Sequence, residues 1–126
     1  MKKIITTENS PAPIGPYSQA VLAHDTLYIS GQIAIDPVSG KIIDKSIEEE
    51  THQVMKNLKA VLESTGYSFN NIVKTSIFLS DMDFFTGVNQ VYGQYFDGEF
   101  PARETLAVKT LPKNVNVEIS AIAVKF

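Results

Sequence analysis

Two charged residues, Arg103 and Glu118, stand fifteen positions apart inside stretches that otherwise read as apolar strands. Arg103 belongs to Phe100-Pro101-Ala102-Arg103-Glu104-Thr105, and Glu118 to Asn116-Val117-Glu118-Ile119-Ser120-Ala121-Ile122. A guanidinium or carboxylate in such a place is expensive unless it is paired or used. Arg103 follows a proline, so it falls at the start of a strand beside a loop, where its rigid fork of donors can meet a carboxylate bidentately. Glu118 lies within the most apolar strand, where loss of water raises its pKa towards the range useful for proton transfer. The chemistry these two residues suit is binding a small carboxylate and moving a proton beside it. The competing reading is structural, with Arg103 in an ion pair and Glu118 paired with Arg103 or with a lysine.

Other candidates carry less weight. Ser30-Gly31-Gln32 ends a strand with a small hydroxyl and a residue that lets backbone approach a ligand, although a bulge or turn glycine fits equally well. Tyr17 follows a proline-rich arm and can place its hydroxyl over a pocket; a buried tyrosine bonding a backbone carbonyl is the commoner arrangement. His52 is one helical turn from Glu48 and Glu49, a spacing used by metal ligands, but a solvated helix face explains it without a second such pair. His24 sits in a turn beside Asp25 and indicates little. There is no G-x-S-x-G, P-loop, G-x-G-x-x-G or HExxH pattern, so serine hydrolase, nucleotide-binding and zinc-protease readings have no local support.

Composition narrows the field further. With 126 residues and 44% hydrophobic content, the chain fits a single domain spanning 1–126 with a sizeable core. A net charge of -3, with no basic run longer than Lys2-Lys3, disfavours binding to a nucleic-acid backbone. Zero cysteines exclude a disulfide framework, a thiolate metal site and a cysteine nucleophile. The beginning of the chain turns polar too soon for a signal-peptide core and no apolar run is long enough to span a bilayer, so a cytoplasmic protein is expected.

The elements that must position Arg103 and Glu118 can be read in order. Lys3 to Thr6 is a short strand, followed by Ser10 to Gly15 and Pro16, where three prolines hold an extended arm. Tyr17 to Ala23 and Thr26 to Ser30 read as a hairpin turning at His24-Asp25, and Gln32 to Ile35 with Lys41 to Ile43 as a further short pair. Ser46 and Glu49 have capping-box spacing, and the acidic Glu48-Glu49-Glu50 favours a helix N-terminus. Apolar Ile47, Val54, Met55, Leu58, Val61 and Leu62 then keep helical spacing up to Gly66. Ile72 to Leu79 is a strand with Val73, Thr75, Ile77 and Leu79 on one face. Asp81 or Asp83 caps a second helix carrying an aromatic stripe from Phe84 to Phe96 and ending near Gly98, with Gly87 and Gly93 each costing it about 1 kcal/mol. Arg103 to Lys109 and Val115 to Phe126 are the final strands. This order predicts an α+β fold in which two helices pack on one face of a mixed sheet of about six strands, through right-handed crossovers. Two helices leave the other face uncovered, which predicts self-association through it.

These residues resemble those of the Rid (reactive intermediate deaminase, YjgF-type) family over essentially the whole chain. The resemblance rests on Ile14-Gly15-Pro16-Tyr17-Ser18-Gln19, Ser30-Gly31-Gln32, Thr51-His52-Gln53-Val54 with Asn57-Leu58, and Val91-Tyr92-Gly93-Gln94-Tyr95-Phe96. Most specific are Pro101-Ala102-Arg103, Leu111-Pro112-Lys113 and Val117-Glu118-Ile119. It implies a chorismate-mutase-like subunit and a homotrimer whose sheets form a central barrel, with three clefts between neighbouring subunits. It implies hydrolysis of enamines and imines such as 2-aminoacrylate and 2-aminocrotonate, released by pyridoxal-phosphate dehydratases, to 2-oxo acids and ammonia, with no cofactor and no metal. Arg103 would then clamp the substrate carboxylate with help from the Gly31 amide. Glu118 would position and deprotonate water beside the Thr105 backbone, and Tyr17, Ser30 and Asn89 would line the cleft. Glu104 and Thr105 depart from the Ser and Cys that many deaminating members carry after the arginine, and strand alternation turns Glu104 away from Arg103. Two other functions share the resemblance: a non-catalytic trimer that binds small carboxylates as a regulator, and an RNA-cleaving translation inhibitor, which the acidic charge disfavours.

Overall fold

The computed structural model describes residues 1–126. Its longest element, α1 (Ile47–Ser64), starts where the Ser46 hydroxyl accepts a hydrogen bond from the Glu49 N–H at 3.0 Å. It ends before Gly66, whose φ of 78° carries the chain away in the left-handed region that glycine tolerates. One face of α1 presents Val54, Met55, Leu58, Val61 and Leu62, all at 0% exposure, to the sheet. Burying five such side chains, each contributing about 1.5–3 kcal/mol, makes α1 the main support of the core.

The sheet has six strands: β1 (Lys2–Ile5), β2 (Ala20–Ala23), β3 (Thr26–Gln32), β4 (Ile72–Leu79), β5 (Ala102–Ala107) and β6 (Val117–Val124). Their order is β1-β2-β3-β6-β4-β5, with β4 and β5 parallel and every other neighbouring pair antiparallel. The last strand in the chain thus lies between β3 and β4, and Glu118 comes to the middle of the sheet while Arg103 comes to its edge. Both helices cover one face, with α2 (Phe85–Gly93) adding Val88 and Tyr92 to the same core as α1. The opposite face is open and displays Ile4, Tyr28 and Leu106, each about half exposed. No helix is long and apolar enough to cross a membrane.

Several local expectations need correction. Tyr17 to Gln19 is not strand, because the Gln19 side chain ties that segment to the arm; pairing begins at Ala20. The pair expected at Gln32–Ile35 and Lys41–Ile43 reduces to one bridge, Ile35 to Ile42. On β4 a register shift between Ile72 and Lys74 turns Val73 outward, and Ile72 takes the core position instead. The second helix begins with a capped turn at Asp81 and is over by Gly93, so Tyr95 and Phe96 lie in the looser turns that follow. Both final strands are shorter than their apolar runs suggest, ending at Ala107 and beginning at Val117.

Candidate active site

Arg103 is placed by β5, which pairs with β4 in the register Thr75 to Arg103 and Ile77 to Thr105. Cross-strand partners share a face, and Thr75 is buried towards α2, its hydroxyl 2.8 Å from that of Tyr92. Arg103 therefore emerges on the helix side of the sheet edge. Its guanidinium carbon lies 5.1 Å from the Tyr92 ring centroid and 5.7 Å from that of Phe85. Such contacts contribute roughly 0.5–1 kcal/mol at an exposed site and orient the fork without occupying its donors. No carboxylate reaches it: the one salt bridge of the protomer joins Lys74 to Glu104 at 2.9 Å. Within the protomer, then, the structural ion pair considered for Arg103 is not formed. The guanidinium faces a hollow of about 310 Å³ shared with Asn89, Tyr92, Gly93, Phe100 and Pro101. Thr105, two residues on and on the same face, buries a hydroxyl that has no hydrogen-bond partner.

Glu118 is placed by β6, where Val117 and Ile119 point into the core at 0% exposure and Glu118 necessarily points the other way. Its cross-strand partner is Phe78. The carboxyl enters a hollow of about 260 Å³ with Ile14, Tyr17, Ser30, Gly31, Ile33 and Pro112. Burial among these groups pushes its pKa above the ordinary 4.5. The alternative pairing of Glu118 with Arg103 or a lysine is absent from the protomer.

Two supports behind Glu118 are buried and polar. Glu50 of α1, at 0% exposure, accepts hydrogen bonds from the Asn116 N–H (2.7 Å), the Asn116 side-chain amide (3.0 Å) and the Val117 N–H (3.1 Å). It thereby seats the two residues before Glu118. On the other side the Gln19 amide donates to the carbonyls of Thr7 (3.0 Å), Ser10 (3.2 Å) and Pro11 (2.9 Å), while its oxygen accepts from the Thr7 N–H (2.7 Å). Ser10 donates to Gln32 at 3.0 Å, Gln32 to the Ser30 carbonyl at 3.2 Å, and the Ser30 hydroxyl to the Ser18 carbonyl at 2.6 Å. The proline arm is latched to β3 by this chain, holding Ile14 and Tyr17 over the carboxyl. The Tyr17 oxygen accepts from the Ile14 N–H at 3.2 Å, which leaves its own proton free to donate outward. Gln19, Ser10, Gln32 and Glu50 stand within motifs named from the sequence, but none is given this supporting role there; the available signal for the first three was a cluster of amides and hydroxyls beside an arm whose prolines cannot donate.

The single chain does not bring Arg103 and Glu118 into one cavity. They align with Thr75 and Phe78 of β4, three residues apart on a strand, and so project from opposite faces. Asn89 lies in the arginine hollow, while Tyr17, Ser30 and Gly31 lie in the glutamate hollow. Glu104 projects to the open face, as alternation predicts; the Ser76 hydroxyl donates to it, and this bond, with Lys74, draws its carboxyl below the ordinary value. His52 binds the Tyr95 hydroxyl through Nδ1 at 2.7 Å, and no group of three His, Cys, Asp or Glu side chains is arranged to hold a metal.

The class this geometry defines is a helix-backed mixed-sheet protein whose reactive groups are divided between two faces. The family model described as Endoribonuclease L-PSP matches residues 7–125, and the chain belongs to that family, which is the YjgF/Rid family. Among curated proteins, the mouse 2-iminobutanoate/2-iminopropanoate deaminase is 48% identical over 99% of this chain and 93% of its own length. Among solved structures, a Yersinia pestis protein of the conserved Rid family superposes with a TM-score of 0.96 at 46% identity, covering 99% of this chain and 100% of that one. Escherichia coli TdcF with bound serine superposes with a TM-score of 0.94 at 37% identity, covering 98% and 99%.

Proposed function

We propose that this protein hydrolyses reactive 2-enamine and 2-imine acids, such as 2-aminoacrylate and 2-aminocrotonate, to 2-oxo acids and ammonia. In this reading it acts as a homotrimer in which Arg103 of one subunit and Glu118 of a neighbour complete each cleft. The observation that carries the proposal is the pair of unsatisfied half-sites: a guanidinium with no anion and a desolvated carboxyl with no cation, on opposite faces of one sheet. A second copy can join them across an interface, and no rearrangement within one sheet can. The deaminase names of relatives at 45–48% identity support the chemistry, and the serine bound to TdcF supports a small amino or oxo acid as occupant.

The residues suit the steps. Arg103 holds the substrate carboxylate through its fork, assisted by the Gly31 amide, with Asn89 beside it. The enamine tautomerises to the imine, C=NH. Water then attacks the imine carbon while Glu118 takes one of its protons, helped in placing the water by the Thr105 backbone. Glu118 passes that proton to the nitrogen, giving the carbinolamine C(OH)NH2; it then carries the hydroxyl proton to the nitrogen as the C–N bond breaks and the C=O bond forms, which releases the 2-oxo acid and ammonia. Tyr17 and Ser30 close the cleft. One well-placed proton carrier contributes about 10²- to 10⁴-fold, enough for a substrate that already hydrolyses on its own.

The test is a serine or threonine dehydratase assay supplemented with this protein, following release of the 2-oxo acid. Wild type should accelerate release. Arg103→Ala should lose roughly 10- to 100-fold in kcat/KM, the size of a charge-assisted clamp. Glu118→Gln should lose turnover yet still bind 2-oxobutyrate by calorimetry. Binding without any acceleration by wild type would point to a carboxylate-binding regulator and sink the enzymatic reading.

A further inference from the structure

Resting on the deaminase reading, and deepening it, is a role for Gly31 that does not depend on its backbone amide. Opposite β6, β3 carries a bulge: Ile29 faces Ala121 and Gln32 faces Ile119, so two residues, Ser30 and Gly31, oppose Ser120 alone. Simple alternation would send a side chain at 31 to the helix face, with Ile29. The extra residue rotates it to the open face instead, where Glu118 lies. A Cβ built on Gly31 would overlap Glu118 Oε2 and fall 2.7 Å from its carboxyl carbon and 2.9 Å from its Cγ. The Gly31 φ is outside the left-handed region, so conformational freedom does not explain the glycine; space does.

We propose that the bare Cα of Gly31 is the seat of the Glu118 side chain, making Gly31 a positioning residue that holds the proton carrier down in its hollow. The two nearest obstructing atoms belong to the carboxyl at the far end of a flexible side chain and the third is its Cγ, so an added methyl group displaces the whole side chain beyond Cβ towards the open hollow rather than breaking the strand. Among the groups facing Glu118 there, the arm supplies Ile14 and Tyr17, β3 supplies Ser30, β4 supplies Phe78 and the turn before β6 supplies Pro112. Tyr17 is the one titratable group among them. Expelled into water, the carboxyl regains solvation and its pKa falls back towards 4.5.

The experiment is Gly31→Ala, read by turnover, by pH profile and by titration of a ¹³C-labelled Glu118 carboxyl. Expected are a fall in kcat of about 10²-fold or more with KM changed by less than about threefold, since the amide survives. The acid limb of the residual activity should move to lower pH, and the ¹³C titration should move with it. Gly31→Ala/Glu118→Gln should be no slower than Glu118→Gln alone, because the glycine acts only through the carboxyl. Should Gly31→Ala fold poorly, Gly31→Ala/Glu118→Ala should recover the melting temperature. Additive losses in the double variant, an unmoved ¹³C titration, or a melting temperature not recovered would each overturn the proposal. The titration needs no substrate, so an inactive wild type would remove the deaminase reading while leaving the seat to be decided.

Discussion

Arg103 reaches its hollow from an edge strand and rests on the rings of Tyr92 and Phe85, whereas Glu118 stands mid-sheet over a bulge, between a buried carboxylate and a latched arm. The difference matches the roles proposed for the two groups. A clamp has to keep its donors free and its charge intact; aromatic faces orient a guanidinium without consuming a single N–H. A proton carrier needs partial loss of water, which only surrounding mass can provide, and the sheet centre supplies that mass. Within one chain the two environments lie on separate faces, and in the proposed trimer they meet only where a second copy joins them.

The largest test of this division mixes Arg103→Ala and Glu118→Gln subunits, unfolded together and refolded. Sites that take Arg103 from one subunit and Glu118 from the next recover about a quarter of wild-type activity in a random one-to-one mixture, from two nearly inactive parents. Sites contained within a subunit recover none. The next effect belongs to the glutamate side alone. A base must be ionised to act, and burial raises the Glu118 pKa, so kcat/KM should fall on the acid side at a pH above 4.5, tenfold per pH unit below that limb. Glu118→Gln should abolish the limb, and Arg103→Lys should leave it in place while raising KM. A limb that follows the arginine variant would mean the assignments are reversed.

Much of the architecture was legible because its signals are local. The Ser46 to Glu49 cap and the apolar spacing from Val54 to Leu62 define α1 without reference to the rest of the chain. The face on which each charged residue emerges was not legible, since a separation of fifteen carries no parity between residues on different strands; it depends on the registers of β5 and β6 against β4. The bulge at Ile72–Lys74 likewise leaves no mark in alternation, whereas Gly31 offers the one at Ile29–Gln32; together they set which of Ile72 and Val73 is buried and where position 31 points. Gly87, which counted against α2, is there because Ile47 and Glu48 of α1 press on it: a Cβ would meet their side chains at 2.8 and 2.9 Å. The turn at Lys113 and Asn114, both with φ near 55°, has no glycine to announce it.

A smaller effect separates the arm from the sheet. Gln19→Ala removes four hydrogen bonds and leaves buried carbonyls and an N–H unpaired, which should destabilise the protein by roughly 1–3 kcal/mol. The loosened arm exposes residues 7–17 to faster hydrogen exchange and raises KM, while the fluorescence or exchange of the Tyr92 region stays unchanged. Matched changes at both hollows would show that they are mechanically one unit.

The smallest expected effect concerns the position where this chain departs from its resemblance. In the single chain Glu104 is exposed on the face opposite Arg103, held by Lys74 and Ser76, and is separated from the guanidinium by the thickness of the sheet. Glu104→Ser should shift the melting temperature by less than about 2 °C and change KM for 2-iminobutanoate by less than about threefold. The same substitution made together with Lys74→Ser should be additive at the active site, because neither residue reaches Arg103. A tenfold change in KM would instead couple the open face to the arginine hollow.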